Sequence, residues 1–226
     1  MGIANNILHL IENTVRTSFG DLRGRTMLEL GNQELEPGSS ERLAKRYFEA
    51  LGVIHTSIDL NGQDGALIVD LSRPTDRLDW IGHFDAITNC GTTEHVDPHD
   101  AQYEAFKNLH VWLRVGGISI HTLPDVDALE ERGSWRGHCN NYYSARFVEM
   151  LAKENGYTIL DLQSINSLVV FSLRKDADRP FMTDRAKLLS HIAYRKGGQR
   201  VRGKLREMGL YPSASTLRKL QRSFRA

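Results

Sequence analysis

A chain of 226 residues, 40% hydrophobic and 25% charged, has room for one full α/β domain and an appendage, and it carries no internal repeat or low-complexity tract. The formal charge of +1 hides an asymmetry: residues 176–226 hold 13 Lys and Arg against 4 Asp and Glu, so an acidic body carries a basic tail. No run approaches the ~18 apolar residues of a membrane span. The N-terminus lacks the basic region and apolar core of a signal peptide, Asn6 stands where a myristoylation motif wants Ser or Thr, and Cys90 and Cys139 show no pairing pattern; together these fit a reducing, cytoplasmic setting.

Ile3, Ile7, Leu8, Leu10, Ile11, Val15 and Phe19 recur at helical spacing and predict an amphipathic helix over 4–18. The apolar run 26–30, with Glu29 inside it, predicts a first parallel strand that turns at Gly31. Ser39 or Ser40 is placed to cap a helix with the stripe Leu43, Ala44, Tyr47, Phe48 and Leu51, which Gly52 ends. A second strand spans 53–60 and carries Asp59. Only residues 61–65 separate it from a third apolar run, 66–71, with Asp70 near its end. Parallel strands need a longer crossover, so this run is either joined unusually or is no regular parallel strand. Residues 76–81 suggest a short helix.

Next comes a strand–helix–strand unit. A strand over 84–88 ends in the small polar turn Asn89-Cys90-Gly91-Thr92-Thr93. Asp97-Pro98 suits a helix start, the stripe runs through Ala101, Ala105, Phe106, Leu109, Trp112 and Leu113, and Gly116-Gly117 suits its end. A strand over 118–123 follows. The polar stretch from Asp125 to Tyr143, holding Trp135, His138, Asn141 and Tyr142, is long for a mere connection. Ser144 caps a helix closed by Gly156, and the β-rich runs 157–165 and 167–174 read as a terminal antiparallel hairpin. Beyond residue 179, three short basic helices centre on Leu188, Leu205 and Leu220. The expected fold is α/β: a Rossmann-like, doubly wound, mostly parallel sheet with an antiparallel C-terminal strand over 1–175, and a basic helical extension over 176–226.

In an open α/β sheet ligands bind beyond the carboxyl ends of the strands. Glu29, Gly31, Asn32, Gln33, Asp59 and Asp70 all fall there. A carboxylate after the second strand suits a ribose diol, and one near the third can accept from an adenine amino group, so the pattern suggests an adenosyl ligand. Both aspartates also suit plain turn capping. A dinucleotide needs glycines against its pyrophosphate, whereas this turn has only Gly31, followed by Glu34 and Glu36. Carboxylates there repel pyrophosphate and tolerate the sulfonium of S-adenosylmethionine, which favours the methyl donor over NAD.

Glu94-His95-Val96, the following helix, and Leu113-Arg114-Val115-Gly116-Gly117 before a strand resemble the central stretch of class I S-adenosylmethionine-dependent methyltransferases, especially those that modify small molecules, quinones and sugars. The resemblance covers roughly residues 25–175. It implies that Leu71 and the turn holding Asn89, Cys90, Gly91, Glu94 and His95 border the donor. At the family's usual Gly-x-Gly, Gly31 is kept and Asn32-Gln33 replaces the second glycine region, with side chains that would crowd the methionine end of the donor or hydrogen-bond to it. For His95 the competing reading is a buried histidine that holds the loop, and for Cys90 it is plain packing. His95 and His99 flank a helix start and need not share a face, so no metal is expected.

The implied reaction is methyl transfer from S-adenosylmethionine, leaving S-adenosylhomocysteine, to a hydroxyl of a small molecule or glycan. His138 among aromatic residues is the favoured general base, with His121 in reserve. The alternatives are an NAD-dependent oxidoreductase and an inactive, methyltransferase-like binding module acting through the tail. The tail lacks the aromatic interleaving that stacks nucleic-acid bases. Its charge instead suits docking on the acidic body or on a second subunit in a homo-oligomer.

Overall fold

The computed structural model describes residues 2–126 and 139–195. Helix α1 (Asn5–Phe19) matches its predicted range within a residue and buries Ile7, Leu8, Ile11 and Val15. Among the described residues the central sheet has six strands: β2 (Thr26–Leu30), β4 (Ile54–Ile58), β5 (Phe84–Cys90), β6 (Leu113–Pro124), β8 (Tyr157–Ile165) and β9 (Leu168–Lys175). Their spatial order is β4-β2-β5-β6-β9-β8. The first four run parallel, and β9 inserts antiparallel between β6 and β8. Asn166 and Ser167, both at positive φ, make the two-residue turn of that hairpin. Helices α1 and α2 (Ala44–Ala50) cover one face, packing on Met27, Ala86, Ile118 and Val170. Helices α3 (Gln102–Trp112) and α4 (Ala145–Asn155) cover the other, packing on Leu28, Ile87, Leu123 and Phe171. This is the mostly parallel, doubly wound sheet with an antiparallel strand that the sequence predicts.

One open alternative is decided and four local expectations give way. Residues 66–71 form no strand: Leu67 makes one isolated parallel bridge to Ile58, by Leu67 N–H to Ser57 O (2.9 Å) and Asp59 N–H to Leu67 O (3.0 Å). Five linking residues leave no room for a crossover helix, and β4 is the sheet edge, ending at Ile58 rather than 60. Helix α2 begins at Ala44, because the preceding residues are used otherwise: β3 (Glu34–Leu35) pairs with β1 (Gly2–Ile3), and Ser39 Oγ bonds Asn5 Oδ1 instead of capping. The residues 76–81 hold only a 3-10 turn, Leu78–Trp80. Asp97 does not cap α3, which is entered through the 3-10 turn His99–Ala101. Finally, Gly116-Gly117 do not end α3. Strand β6 starts at Leu113, and the glycines lie where its register against β5 slips between Phe84↔Leu113 and Ala86↔Ile118. A Cβ on Gly117 would stand 3.0 Å from Phe84 O, so the slip needs a glycine.

Ser144 Oγ caps α4 by accepting from Phe147 N–H, as expected. Beyond β9 the chain stays on the body. Phe181, Met182, Leu188 and Ile192 are buried with Phe147, Leu151 and Phe171. Asp184 caps the short α5 (Arg185–Ser190), and β10 (Ala193–Tyr194) pairs antiparallel with β7 (Asn141–Tyr142). The two later predicted helices lie outside the described residues. Among the described residues no helix is long and apolar enough to cross a membrane.

Candidate functional site

A cleft of about 680 Å³ opens at the carboxyl ends of β2, β4 and β5. Of the residues singled out in the sequence, Gly31, Asn32, Gln33, Asp59, Asp70, Leu71, Gly91 and His95 line it. Thr92, within the turn expected to border the donor, lines it too, and so do Ile58, Leu60, Asn61, Val69, Ser72, Val96 and Asp97, which the sequence does not single out. Thr92 lies in a turn already marked by its composition, and Asn61 has no signal beyond following Asp59 by two.

The turn after β2 is built around Gly31, which sits at φ +79°. A Cβ there would stand 2.6 Å from Gln33 Nε2 and 2.7 Å from Thr92 Oγ1. Gln33 fills the space that a second glycine would leave open: its amide donates to Leu30 O (3.2 Å) and to Thr92 Oγ1 (3.4 Å), and Thr92 Oγ1 donates to Leu30 O (2.7 Å). The turn after β2 is thereby tied to the turn after β5. Asp59 accepts Asn32 N–H on Oδ2 (3.1 Å) and Asn61 N–H on Oδ1 (2.9 Å). Each carboxylate oxygen keeps a lone pair, so the residue fixes two loops and can still receive a diol. Asp70 is more committed. Its Oδ1 accepts from Ser72 N–H and Ser72 Oγ, its Oδ2 pairs with Arg73 at 3.2 Å, and the Ser72 hydroxyl bond holds its carboxyl below the ordinary range.

Among the described lining residues there is no Lys or Arg, and Asp59, Asp70 and Asp97 make the cleft acidic. The acidity does not come from Glu34 and Glu36, as the sequence suggested. Glu34 pairs with Arg42, Glu36 Oε2 accepts Asn5 N–H at 3.0 Å, and neither lines the cleft. Both are drawn aside because β1 pairs with the loop that carries them.

Glu29, Asn89, Cys90 and Glu94 adjoin the lining residues from within. Glu29 Oε1 accepts Gln33 N–H at 3.2 Å. Asn89 Oδ1 accepts Thr93 N–H, and its amide donates to Thr93 Oγ1 and to His121 Nδ1. Burial pushes the Cys90 thiol up to about 12, which leaves it inert. Glu94 is fully buried 3.6 Å from His95 Nε2, and burial pushes its carboxyl up to about 8. The His95–Asp97 turn is braced from outside: Gln102 Nε2 donates to Thr93 O and Val96 O, Asn141 Nδ2 donates to Glu94 O and Val96 O, and Tyr143 Oη donates to Gln102 Oε1. His99 Nδ1 turns to Asn141 Oδ1 and not toward His95.

The two candidate bases fare differently. His121 is interior, not cleft-lining. Its ring stacks on Phe171 at 4.4 Å, and burial pushes it down to about 3, so it is a neutral acceptor for the Asn89 amide. His138 and Trp135 lie outside the described residues.

No family model matches the chain, and no curated protein matches it. Solved structures do share its architecture. N-methyltransferase NodS from Bradyrhizobium japonicum WM9, in complex with S-adenosylhomocysteine, is 16% identical over 77% of this chain and 89% of its own, with a TM-score of 0.50. A chain of the Haloferax volcanii complex containing the Trm112 methyltransferase activator is 11% identical over 74% and 89%, with a TM-score of 0.52. The PH0226 protein from Pyrococcus horikoshii OT3 is 15% identical over 75% and 90%, with a TM-score of 0.53. With its strand order, its antiparallel final strand and its strand-end cleft, this chain has the Rossmann-like fold of the class I S-adenosylmethionine-dependent methyltransferases.

Proposed function

We propose that the protein is an S-adenosylmethionine-dependent methyltransferase that acts on a hydroxyl of a small molecule or sugar, in the cytoplasm. The observation that carries this reading is the acidic cleft at the strand ends, with Asp59 directly after the second parallel strand and its oxygens only half used. A sulfonium cation is welcome among carboxylates, and a pyrophosphate is not. NodS, which shares the fold, is an N-methyltransferase crystallised with the demethylated donor.

In this reading Asp59 takes the ribose hydroxyls, the Gly31–Gln33 turn faces the methionine end, and the 91–97 turn borders the methyl group. The acceptor oxygen attacks the methyl carbon as the carbon–sulfur bond breaks, and the acceptor's proton passes to a base. We assign that base to His138, since the interior position of His121 keeps it from the cleft. Alignment of acceptor and methyl supplies the larger share of the acceleration.

Calorimetry with S-adenosylhomocysteine and with NAD tests the reading. The first is expected to bind and the second not. Asp59→Ala removes a charged hydrogen-bond acceptor, a loss of ~1.5–3 kcal/mol, and is expected to weaken S-adenosylhomocysteine roughly ten- to a hundredfold. Binding of NAD alone would overturn the reading, and unchanged affinity in Asp59→Ala would remove Asp59 from the site.

A further inference from the structure

Beneath the donor turn lies a buried acid–imidazole pair that the methyl-transfer reading does not use. Glu29 and His55 stand on adjacent parallel strands, in a register that sets Met27 opposite His55 and Glu29 opposite Ser57. Their side chains lean toward one another on the face covered by α2, where the His55 ring lies parallel to Phe48 at 6.0 Å. Both side chains are sealed from solvent, at 1% and 0% exposure, and Glu29 Oε2 stands 3.8 Å from His55 Nε2. Among the described residues Glu29 Oε2 and both His55 nitrogens have no hydrogen-bond partner, while Glu29 Oε1 accepts the Gln33 N–H. A buried polar atom is costly to leave unpaired, and one closure of the gap, to about 2.7 Å, satisfies two of them at once.

We propose that His55 is a positioning residue for the donor turn: Glu29 is a carboxylic acid whose Oε2–H donates to His55 Nε2, which keeps Oε1 aimed at the Gln33 N–H. The proton stays within the pair, and no net charge is buried. Burial acts in this sense on both partners, pushing the Glu29 carboxyl up and the His55 imidazole down. The other titratable groups that act on the pair are Lys45 of α2, whose Nζ is bonded to Gly65 O, and the protonated thiol of Cys90 on β5. Without His55 the carboxyl can turn either oxygen to Gln33 or swing off it, and the Gly31–Gln33 turn loosens. The ligand-binding part of this inference rests on the donor-binding reading above.

The test uses Glu29→Gln, which reproduces the acid: its amide N–H donates to His55 and its carbonyl accepts from Gln33. Affinity for S-adenosylhomocysteine is measured by calorimetry, and exchange of the Gln33 amide by NMR in the ligand-free protein. Glu29→Gln is expected to stay within about twofold of the parent in both. Glu29→Leu and His55→Leu are each expected to weaken binding about tenfold and speed Gln33 exchange, and the double variant should be no worse than either alone. If His55→Leu does not fold, His55→Gln, which keeps an acceptor, is expected to hold Gln33 exchange near that of the parent. A tenfold loss in Glu29→Gln would show that the ionised carboxylate is what the turn needs, and would overturn the proposal. So would a His55→Leu protein with unchanged Gln33 exchange. Failure of the parent to bind S-adenosylhomocysteine would sink the donor reading alone, because Gln33 exchange decides the pairing without ligand.

Discussion

Gly31 admits no side chain for two independent reasons, its positive φ and the two atoms that crowd its missing Cβ. A non-glycine residue in the left-handed region costs ~1–2 kcal/mol. Gly31→Ala is therefore expected to lower the free energy of unfolding in urea by at least about that much. Gln33→Ala in the same chain should restore part of it, since one of the two crowding atoms is the end of the Gln33 side chain. The position of Gly31 is legible in the sequence because it directly follows the apolar run 26–30, and that of Asp59 because it lies at the end of the predicted strand 53–60. The orientation of Glu34 and Glu36 was not legible. It depends on the pairing of Gly2 and Ile3 with Glu34 and Leu35, which is too short to leave a period. The burial of His121 is not legible either: strand β6 runs on to Pro124 and pairs His121 with Phe171, so the ring lies within the sheet's packing.

Among the elements, the segment after β9 behaves as part of the core. Phe181, Met182, Leu188 and Ile192 are each at most 7% exposed. Burying such a side chain contributes about 1.5–3 kcal/mol. Losing four of them takes away roughly as much as a whole domain has to spare. A chain ending at Lys175 is thus expected to be insoluble or to lack a cooperative urea transition, whereas one ending at Arg195 should keep it. The closing hairpin could be read from its two β-rich runs around Asn166, and α4 from Ser144 and Gly156. The absent third strand was signalled only by the shortness of residues 61–65. The entry to α3 is not legible in the sequence: Asp97 and Pro98 suit a cap by type, yet a 3-10 turn intervenes.

For the molecule as a whole, the buried ionisable groups set how stability follows pH. Glu94 and Glu29 have carboxyls raised by burial, so their folded forms hold protons that the unfolded chain gives up near pH 4.5. What they contribute is present below that pH and is lost as pH rises toward about 8, where Glu94 titrates. His121, His55 and His110 are depressed by burial. Their contribution is present above about 6.5 and is lost as pH falls, toward 3 for His121 and His55. The two sets oppose each other between about pH 4.5 and 6.5, and the glutamates act alone between 6.5 and 8. With three histidines against two glutamates, Tm should rise slightly across the lower window and fall between pH 6.5 and 8. Glu94→Gln should fall less over the same range, and an equal fall would show that Glu94 is ionised in the folded protein. The placing of β9 bears also on how the chain is made. Strand β6 emerges from the ribosome some fifty residues before the strand that covers its outer edge, and β8, which precedes β9, pairs in the fold with β9 and not with β6. Until Lys175 is free, the growing chain presents the apolar, unpaired edge of β6 to its surroundings. Synthesis, more than the finished fold, is where this protein is most open to aggregation and to capture by chaperones.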